Sequence, residues 1–373
     1  MRFVVKLGTS TLTRGTQRLS PPLVIDLARQ VAALKDEGHE MVLVSSGAVA
    51  AGRERLQVPH LPKNVPAKQM LAAVGQPRLM AFYERIFEMY GVTVAQVLLT
   101  RKDFAGRRGY LNARNTLAAL MENGVLPVVN ENDTVATDEI RVGDNDNLSA
   151  LVASLVDADW LVLLTDQAGL FTADPRCDAD ACLIAEVAGK EIPPDIWRAA
   201  GGSGGSGLGT GGMVTKLQAA DLARRSGACC VIAQGAEPDV LTRLAGGEHI
   251  GTRFPPLATA VESRMRYILS GGHHAVGRLL VDAGAVGALR RGASLLSVGL
   301  TAVSGEFDRG DTVRVMMKDP QGADGETEVA RGIANYDSRD LVRILRKPSD
   351  EIESVLGYHF GDEVIHHNNL VLL

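Results

Sequence analysis

Six short runs that are almost unbroken in apolar residues punctuate the first 250 or so positions of the chain: residues 3–7, 41–45, 92–99, 125–129, 160–164 and 230–233. Strands with one wet face alternate polar and apolar side chains, whereas strands covered on both faces read as continuous apolar runs. The stretches between these runs are longer and carry helical periodicity. Alternation of this kind is the signature of βαβ units, so it predicts an α/β fold with a mostly parallel central sheet and helices on both faces. Helix punctuation agrees: Ser20 can cap a helix whose first turn holds Pro21 and Pro22 and whose body, residues 23–37, closes at Gly38. Pro77 is placed to start a helix over 78–90, and residues 147–156 and 213–226 read as two more.

A length of 373 residues favours two or three domains. With 46% hydrophobic and 22% charged residues, the chain has ample material for packed cores, and disorder as the dominant state is excluded. The texture changes at Phe254-Pro255-Pro256. Beyond a helical piece at 262–269 and the pair Gly271-Gly272, short strands broken by turns predict a small β-rich barrel. The expected division is therefore a first domain over 1–255, a linker over 256–272, and a second domain with a C-terminal extension over 273–373.

Cysteine usage points to a reducing compartment. Cys177, Cys182, Cys229 and Cys230 contain no C-x-x-C spacing, so neither a disulfide framework nor a zinc knuckle is signalled. Lys6 interrupts the N-terminal apolar run before a signal-peptide core could form, and no apolar stretch approaches the roughly 20 residues of a membrane-spanning helix. A cytoplasmic protein without a membrane partner is expected. Formal charge is −5, and residues 273–351 hold 11 Lys+Arg against 12 Asp+Glu, a poor electrostatic footprint for RNA.

Chemistry-bearing residues cluster where the predicted strands end. In open α/β sheets ligands bind outside the carboxyl ends of the strands. Lys6, followed by Gly8-Thr9-Ser10, can point a positive charge into that crevice, or can be a solvated lysine closing an edge strand. Ser45-Ser46-Gly47 offers hydroxyls and backbone N–H groups at a helix start, as an anion site or a simple cap. Gly201 to Gly212 would pass for a flexible linker, except that it runs directly into a helix opened by Met213-Val214-Thr215-Lys216. Glycines admit phosphate oxygens to the backbone, and Lys216 adds a charge, although the P-loop spacing is absent. Asn130-Glu131-Asn132-Asp133 and Gly143-Asp144-Asn145-Asp146-Asn147 are either solvated turns or a site for a cationic substrate group or magnesium; the EF-hand pattern does not fit. Thr165-Asp166 ends the fifth run. His273-His274 and His366-His367 read as exposed pairs rather than metal ligands.

Together with Thr165-Asp166-Gln167-Ala168-Gly169-Leu170 and Gly209 to Lys216, these segments closely resemble the amino acid kinase family, in particular its members that phosphorylate glutamate. Asp282-Ala283-Gly284-Ala285, Ser294-Leu295-Leu296, Gly305-Glu306-Phe307 and Ala330-Arg331-Gly332 resemble a PUA domain. The resemblance implies ATP-dependent phosphorylation of the side-chain carboxylate of L-glutamate to L-glutamyl 5-phosphate, the first step of proline biosynthesis, with ATP and Mg2+ as cofactors. It implies that Lys6 and Lys216 clamp the transferring phosphoryl group while Asp146 organises the two lysines or the metal. Glutamate would be bound by Ser46, Gly47, Asn130, Asp133, Asp144 and Asn145. ATP would be bound by Lys6, Thr165, Asp166, Thr210, Gly211, Gly212, Met213, Val214, Thr215 and Lys216. Proline as feedback inhibitor, a glutamyl phosphate reductase as partner and homo-oligomerisation are further expectations.

Relatives that act on acetylglutamate, carbamate or UMP would share the ATP half, but an acetylated amine gives Asp133 and Asp144 no cation to meet. An RNA-binding protein, suggested by the tail alone, is the reading from another class. Every motif able to touch ATP or glutamate precedes residue 217, so the tail is expected to serve regulation or assembly.

Overall fold

The computed structural model describes residues 1–16, 18–57, 64–136, 145–201, 212–257, 259, 277–318 and 325–373. They form two compact units: Met1–Phe104 with Ala113–Ala260, and Ala105–Asn112 with Val261–Leu373.

In the first unit the chain runs through β1 (Arg2–Leu7), α1 (Thr9–Thr13), α2 (Pro21–Asp36), β2 (Glu40–Ser45), α3 (Ala48–Leu56), α4 (Val65–Glu88), β3 (Val94–Leu99) and α5 (Arg101–Ala105). There follow α6 (Arg107–Glu122), β4 (Leu126–Glu131), α7 (Asn145–Leu155), β5 (Trp160–Thr165), α8 (Pro194–Ala200), α9 (Met213–Arg225), β6 (Cys229–Gln234), α10 (Val240–Ala245) and β7 (Thr252–Phe254). The seven strands form one sheet in the order β3-β4-β2-β1-β5-β6-β7. All six strands expected from the sequence are present and pair in parallel, while the unforeseen β7 adds antiparallel to β6.

The apolar runs have the cause the sequence suggested. Val4, Val5, Leu43, Val44, Val162 and Leu163 lie at the middle of the sheet with helices against them, and all are buried. β1 is hydrogen-bonded to β2 on one side and β5 on the other, so Lys6 sits in an interior strand and the edge-strand reading fails.

Two helix expectations are corrected. Pro77 does not start a helix but lies inside the 24-residue α4. An interior proline costs a hydrogen bond to the carbonyl four residues back. Here that residue is Ala73, which is exposed, so water can replace the lost donor while Leu71, Ala72, Leu79 and Tyr83 bury the opposite face. Ser20 occupies the N-cap of α2, yet its side chain makes no capping hydrogen bond.

α3 and α4 cross with their backbones almost touching. A Cβ on Gly75 would lie 1.8 Å from the Ala48 carbonyl oxygen, and one on Gly52 would lie 1.9 Å from that of Leu71. Only glycine fits at either position. The crossing fixes α4 against the start of α3, which is where β2 delivers Ser46 and Gly47.

The second unit contains β8 (Gly277–Val281), β9 (Leu295–Leu296), β10 (Leu300–Ser304), β11 (Thr312–Lys318), β12 (Glu326–Ile333), β13 (Glu363–Ile365) and β14 (Leu370–Leu372). Five of them form the sheet β10-β8-β11-β12-β14, and β13 pairs with β9. Leu279, Val313, Val315, Tyr336 and Ile365 belong to its buried core. The unit is not contiguous in sequence. Leu111 is fully buried against Ile333 and Val371, and Arg107 pairs with Asp311 at 2.9 Å. A chain cut near residue 271 would therefore strip the cover from Leu111. His273 and His274, and most of the expected linker, lie outside the described residues. The His366 and His367 rings lie beside each other, tilted by 36° with centroids 4.2 Å apart.

Replacing Gly75 by alanine should force α3 and α4 apart. Overpacking of this kind typically costs about 1–3 kcal/mol, and with backbone as the obstacle the upper end is expected. Thermal unfolding of Gly75→Ala followed by circular dichroism should show a clear fall in Tm.

Candidate active site

Strand ends, rather than strand bodies, carry the polar residues of the first unit. β1 ends at Lys6-Leu7, β2 at Ser45-Ser46, β4 at Asn130-Glu131 and β5 at Thr165-Asp166, all at the carboxyl edge of one parallel sheet. This edge is where open α/β folds leave room for ligands.

Lys6, Asp146 and Lys216 meet there, from β1, the first turn of α7 and the first turn of α9. Lys6 Nζ lies 2.5 Å from Asp146 Oδ1, and Lys216 Nζ lies 3.2 Å from Asp146 Oδ2. The Thr215 hydroxyl donates to Oδ2 at 2.7 Å, and the Ser149 hydroxyl donates to the Asp146 carbonyl at 2.5 Å. All three charged residues are buried, Asp146 to 1% exposure. Burial by itself would raise the Asp146 pKa, but the attraction of Lys6 and then Lys216 outweighs it, and the carboxyl is held down to about 2. Asp146 is thus ionised throughout the neutral range. One carboxylate between two lysines leaves a net positive charge, and an anion such as a phosphate can be drawn to it.

Gly8 follows Lys6 closely; a Cβ there would sit 3.4 Å from Lys6 Nζ. Gly212 stands at the N-cap of α9 in an extended conformation, and Met213 and Val214 fill that helix's first turn with Thr215. α9 therefore presents its N-terminal N–H groups on the side where Lys216 lies, the arrangement that favours anions. Thr165 donates to Asp166 at 3.0 Å at the end of β5. Thr210 and Gly211, expected to bind phosphate, lie outside the described residues.

A second group forms around Ser46, Asn130 and Asn145. Asn145 Nδ2 donates to Ser46 Oγ at 2.8 Å and to Asn130 Oδ1 at 3.0 Å. Ser46 N–H donates to the Leu7 carbonyl at 3.0 Å, tying the β2 end to the β1 end. Gly47 follows with φ of 108°, a conformation that strains any residue with a Cβ. The Ser45 hydroxyl donates to the Ser46 carbonyl and receives the buried Tyr83 hydroxyl at 2.7 Å. Burial pushes the Tyr83 pKa upward, so this phenol stays a donor.

Asp133 lies in the turn after β4. Burial raises its pKa, only partly offset by Lys68, to about 6. Such an acid is poised to gain from an incoming cation, whose charge would favour the ionised form. Asp144 is outside the described residues. The structure therefore joins Lys6, Asp146, Thr215 and Lys216 in one cluster and Ser46, Asn130 and Asn145 in another. Asn145 and Asp146, adjacent in sequence, are members of one each.

Sequence reasoning missed Gln76, whose Oε1 accepts from Asn130 Nδ2 at 2.8 Å, as well as Tyr83 and Lys68. Each sits on α4, far from the motifs in sequence. The available signal for Gln76 was an amide directly after Gly75 on an otherwise apolar helix face.

The sequence profile described as the amino acid kinase family matches residues 1–234, and that of the PUA domain matches residues 277–356. A glutamate 5-kinase of Photobacterium profundum is 55% identical over 372 residues, covering 100% of this chain and 96% of that protein. Those of Deinococcus radiodurans and Herpetosiphon aurantiacus are 52% and 54% identical and are covered over 100% and 98% of their lengths. The chain belongs to the glutamate 5-kinase family of amino acid kinases. Strands β1–β6 of the parallel sheet fall within the residues matched by the first profile, and β8–β12 of the second unit within those matched by the second. Among the described residues of this kinase, no three or more His, Cys, Asp or Glu side chains gather as a metal-holding group.

Because the Asp133 carboxyl titrates near pH 6, its charge is present above that pH and lost below it. Glutamate KM should climb as pH falls through about 6, with a smaller change in kcat. In Asp133→Asn the KM should be high and flat across the same range, which steady-state kinetics at several pH values would show.

Proposed function

We propose that the protein transfers the γ-phosphoryl group of ATP to the side-chain carboxylate of L-glutamate, giving L-glutamyl 5-phosphate and ADP, the opening step of proline biosynthesis. The observation that carries this reading is the buried Lys6–Asp146–Lys216 cluster at the carboxyl edge of the parallel sheet, in a chain 55% identical over its whole length to a glutamate 5-kinase.

A glutamate side chain, with an ordinary pKa of about 4.3, is already a carboxylate at neutral pH, so no general base is required. The obstacle is bringing that anion against an anionic phosphate. Lys6 and Lys216 meet it with two fixed cations, and Asp146 holds both ammonium groups in place before the substrates arrive. Because the charges are preorganised and shielded from water, they act more strongly than solvated lysines would. As the carboxylate oxygen bonds to the γ-phosphorus, the bond to the β–γ bridging oxygen breaks and ADP leaves with the electron pair.

The residues fit a magnesium ion carried on nucleotide phosphates rather than in a protein cage, because both Asp146 oxygens are engaged by the lysines and Thr215. When bound, magnesium neutralises phosphate charge. The N-terminus of α9 with Gly212, Met213, Val214 and Thr215, together with Thr165 and Asp166, takes the nucleotide. Ser46, Gly47, Asn130 and Asn145 take glutamate, with Asp133 on its ammonium group; Asp144 and the residues Thr210 and Gly211 join these two sets by resemblance.

Proline as feedback inhibitor, a glutamyl phosphate reductase as consumer of the labile acyl phosphate, and homo-oligomerisation belong to the same proposal. So does a cytoplasmic location, which rests on the cysteine usage. Among the described residues no helix is long and apolar enough to cross a membrane. The near-neutral PUA segment favours regulation or assembly over RNA binding.

ADP release by the purified protein should require glutamate and magnesium and be far weaker with acetylglutamate; equal turnover on acetylglutamate would overturn the substrate assignment. Lys216→Ala should lower kcat by about 10²–10³-fold, the usual loss for one preorganised charge aimed at the transition state, with a modest change in glutamate KM. A rise in ATP KM alone would make Lys216 a binding residue only.

A further inference from the structure

An amide relay runs from the surface of α4 to the glutamate side of the site. Gln76 Nε2 donates to Gln96 Oε1 at 3.1 Å, and Gln76 Oε1 accepts from Asn130 Nδ2 at 2.8 Å. Asn130 Oδ1 in turn accepts from Asn145 Nδ2 at 3.0 Å. Two backbone groups fix the sense of this chain. The N–H of Glu131 can only donate, and it donates to Asn130 Oδ1 at 2.9 Å, so Asn130 must turn its Nδ2 toward Gln76. The Ser45 carbonyl can only accept, and it takes Asn145 Nδ2 at 3.3 Å. Asn145 Oδ1 is thereby turned the other way, buried and without a hydrogen-bond partner among the described residues.

A buried acceptor left unmatched is costly unless something donates to it. A substrate ammonium is a donor with three N–H bonds and no acceptor. We propose that Gln76 is a positioning residue for substrate recognition, acting through Asn130 to hold the Asn145 carbonyl toward the amine of glutamate. This rests on the glutamate reading above. Gln76 suits the task because it follows Gly75, whose backbone is pinned against Ala48 at the start of α3, so the amide is anchored to the same junction that presents Ser46. Asn130 is 2% exposed, so its Nδ2 depends on Gln76 for an acceptor. Rotation of the Asn130 amide would then compete with its present orientation and release Asn145.

The test compares Gln76→Leu, which keeps the shape and loses the acceptor, with Gln76→Glu, which keeps the acceptor. Glutarate, the same dicarboxylate without an amine, serves as a competitive inhibitor. In Gln76→Leu the glutamate KM should rise about tenfold, the equivalent of roughly 1.4 kcal/mol, while kcat, ATP KM and the glutarate Ki stay near wild type. Gln76→Glu should restore glutamate KM. The relay is overturned if Gln76→Leu leaves glutamate KM unmoved, if glutarate Ki and ATP KM rise along with it, or if Gln76→Glu is as impaired as Gln76→Leu. Wild-type protein without glutamate-dependent turnover would overturn the substrate reading and the relay together, whereas an active wild type with an unresponsive Gln76→Leu overturns the relay alone.

Discussion

One buried carboxylate holds the charged cluster at the carboxyl edge of the parallel sheet together. Asp146 is almost fully removed from water, which would ordinarily make its charge expensive, and two lysines and a threonine hydroxyl compensate it. The charged residues come from β1, α7 and α9, segments far apart in the chain that only the parallel sheet brings to one edge. Removing the carboxylate would take from both lysines the anion they share. The arrangement thus keeps positive charge concentrated at the carboxyl edge of the sheet, at a cost met by the fold.

The neighbouring amide cluster works differently. Around Ser46, Asn130 and Asn145 the side chains are neutral amides and a hydroxyl, and direction rather than charge is what they supply. Backbone groups of Glu131 and Ser45 set which way each amide faces. The helix crossing at Gly52 and Gly75 brings α4 close enough to take part. Asp133, with its pKa lifted to about 6 by burial, adds the one carboxylate whose ionisation a bound cation would complete. Because Asn145 and Asp146 are consecutive, the first turn of α7 links the two clusters, and a shift of that turn would be felt by both.

Much of this was legible from sequence. Continuous apolar runs require burial on both faces, so the α/β class and the six parallel strands followed from composition and spacing, and the polar residues at the run ends marked the carboxyl edge. Lys6, Asp146 and Lys216 were recognisable as charged residues in those end segments, and their motifs carried the family resemblance. Pro77 misled because propensity is local, whereas α4 is held by the burial of Leu71, Leu79 and Tyr83 along its far side. The membership of Ala105–Asn112 in the second unit was illegible for a related reason: its evidence is the burial of Leu111 against Ile333 and Val371, which lie far along the chain.

Sequence by itself therefore determined the layer architecture, the presence of charged residues at the strand ends and the place of each on its own element, since these depend on periodicity and on local chemistry. Tertiary structure decided which charges meet, that Lys6 lies in an interior strand, and that Gln76 and Tyr83 of α4 reach the strand ends. The physical reason is range: the apolar pattern of a strand is written within a few residues, whereas a hydrogen bond between Gln76 and Asn130, or an ion pair between Lys6 and Asp146, exists only after strand order and helix crossing have closed the long intervals between them.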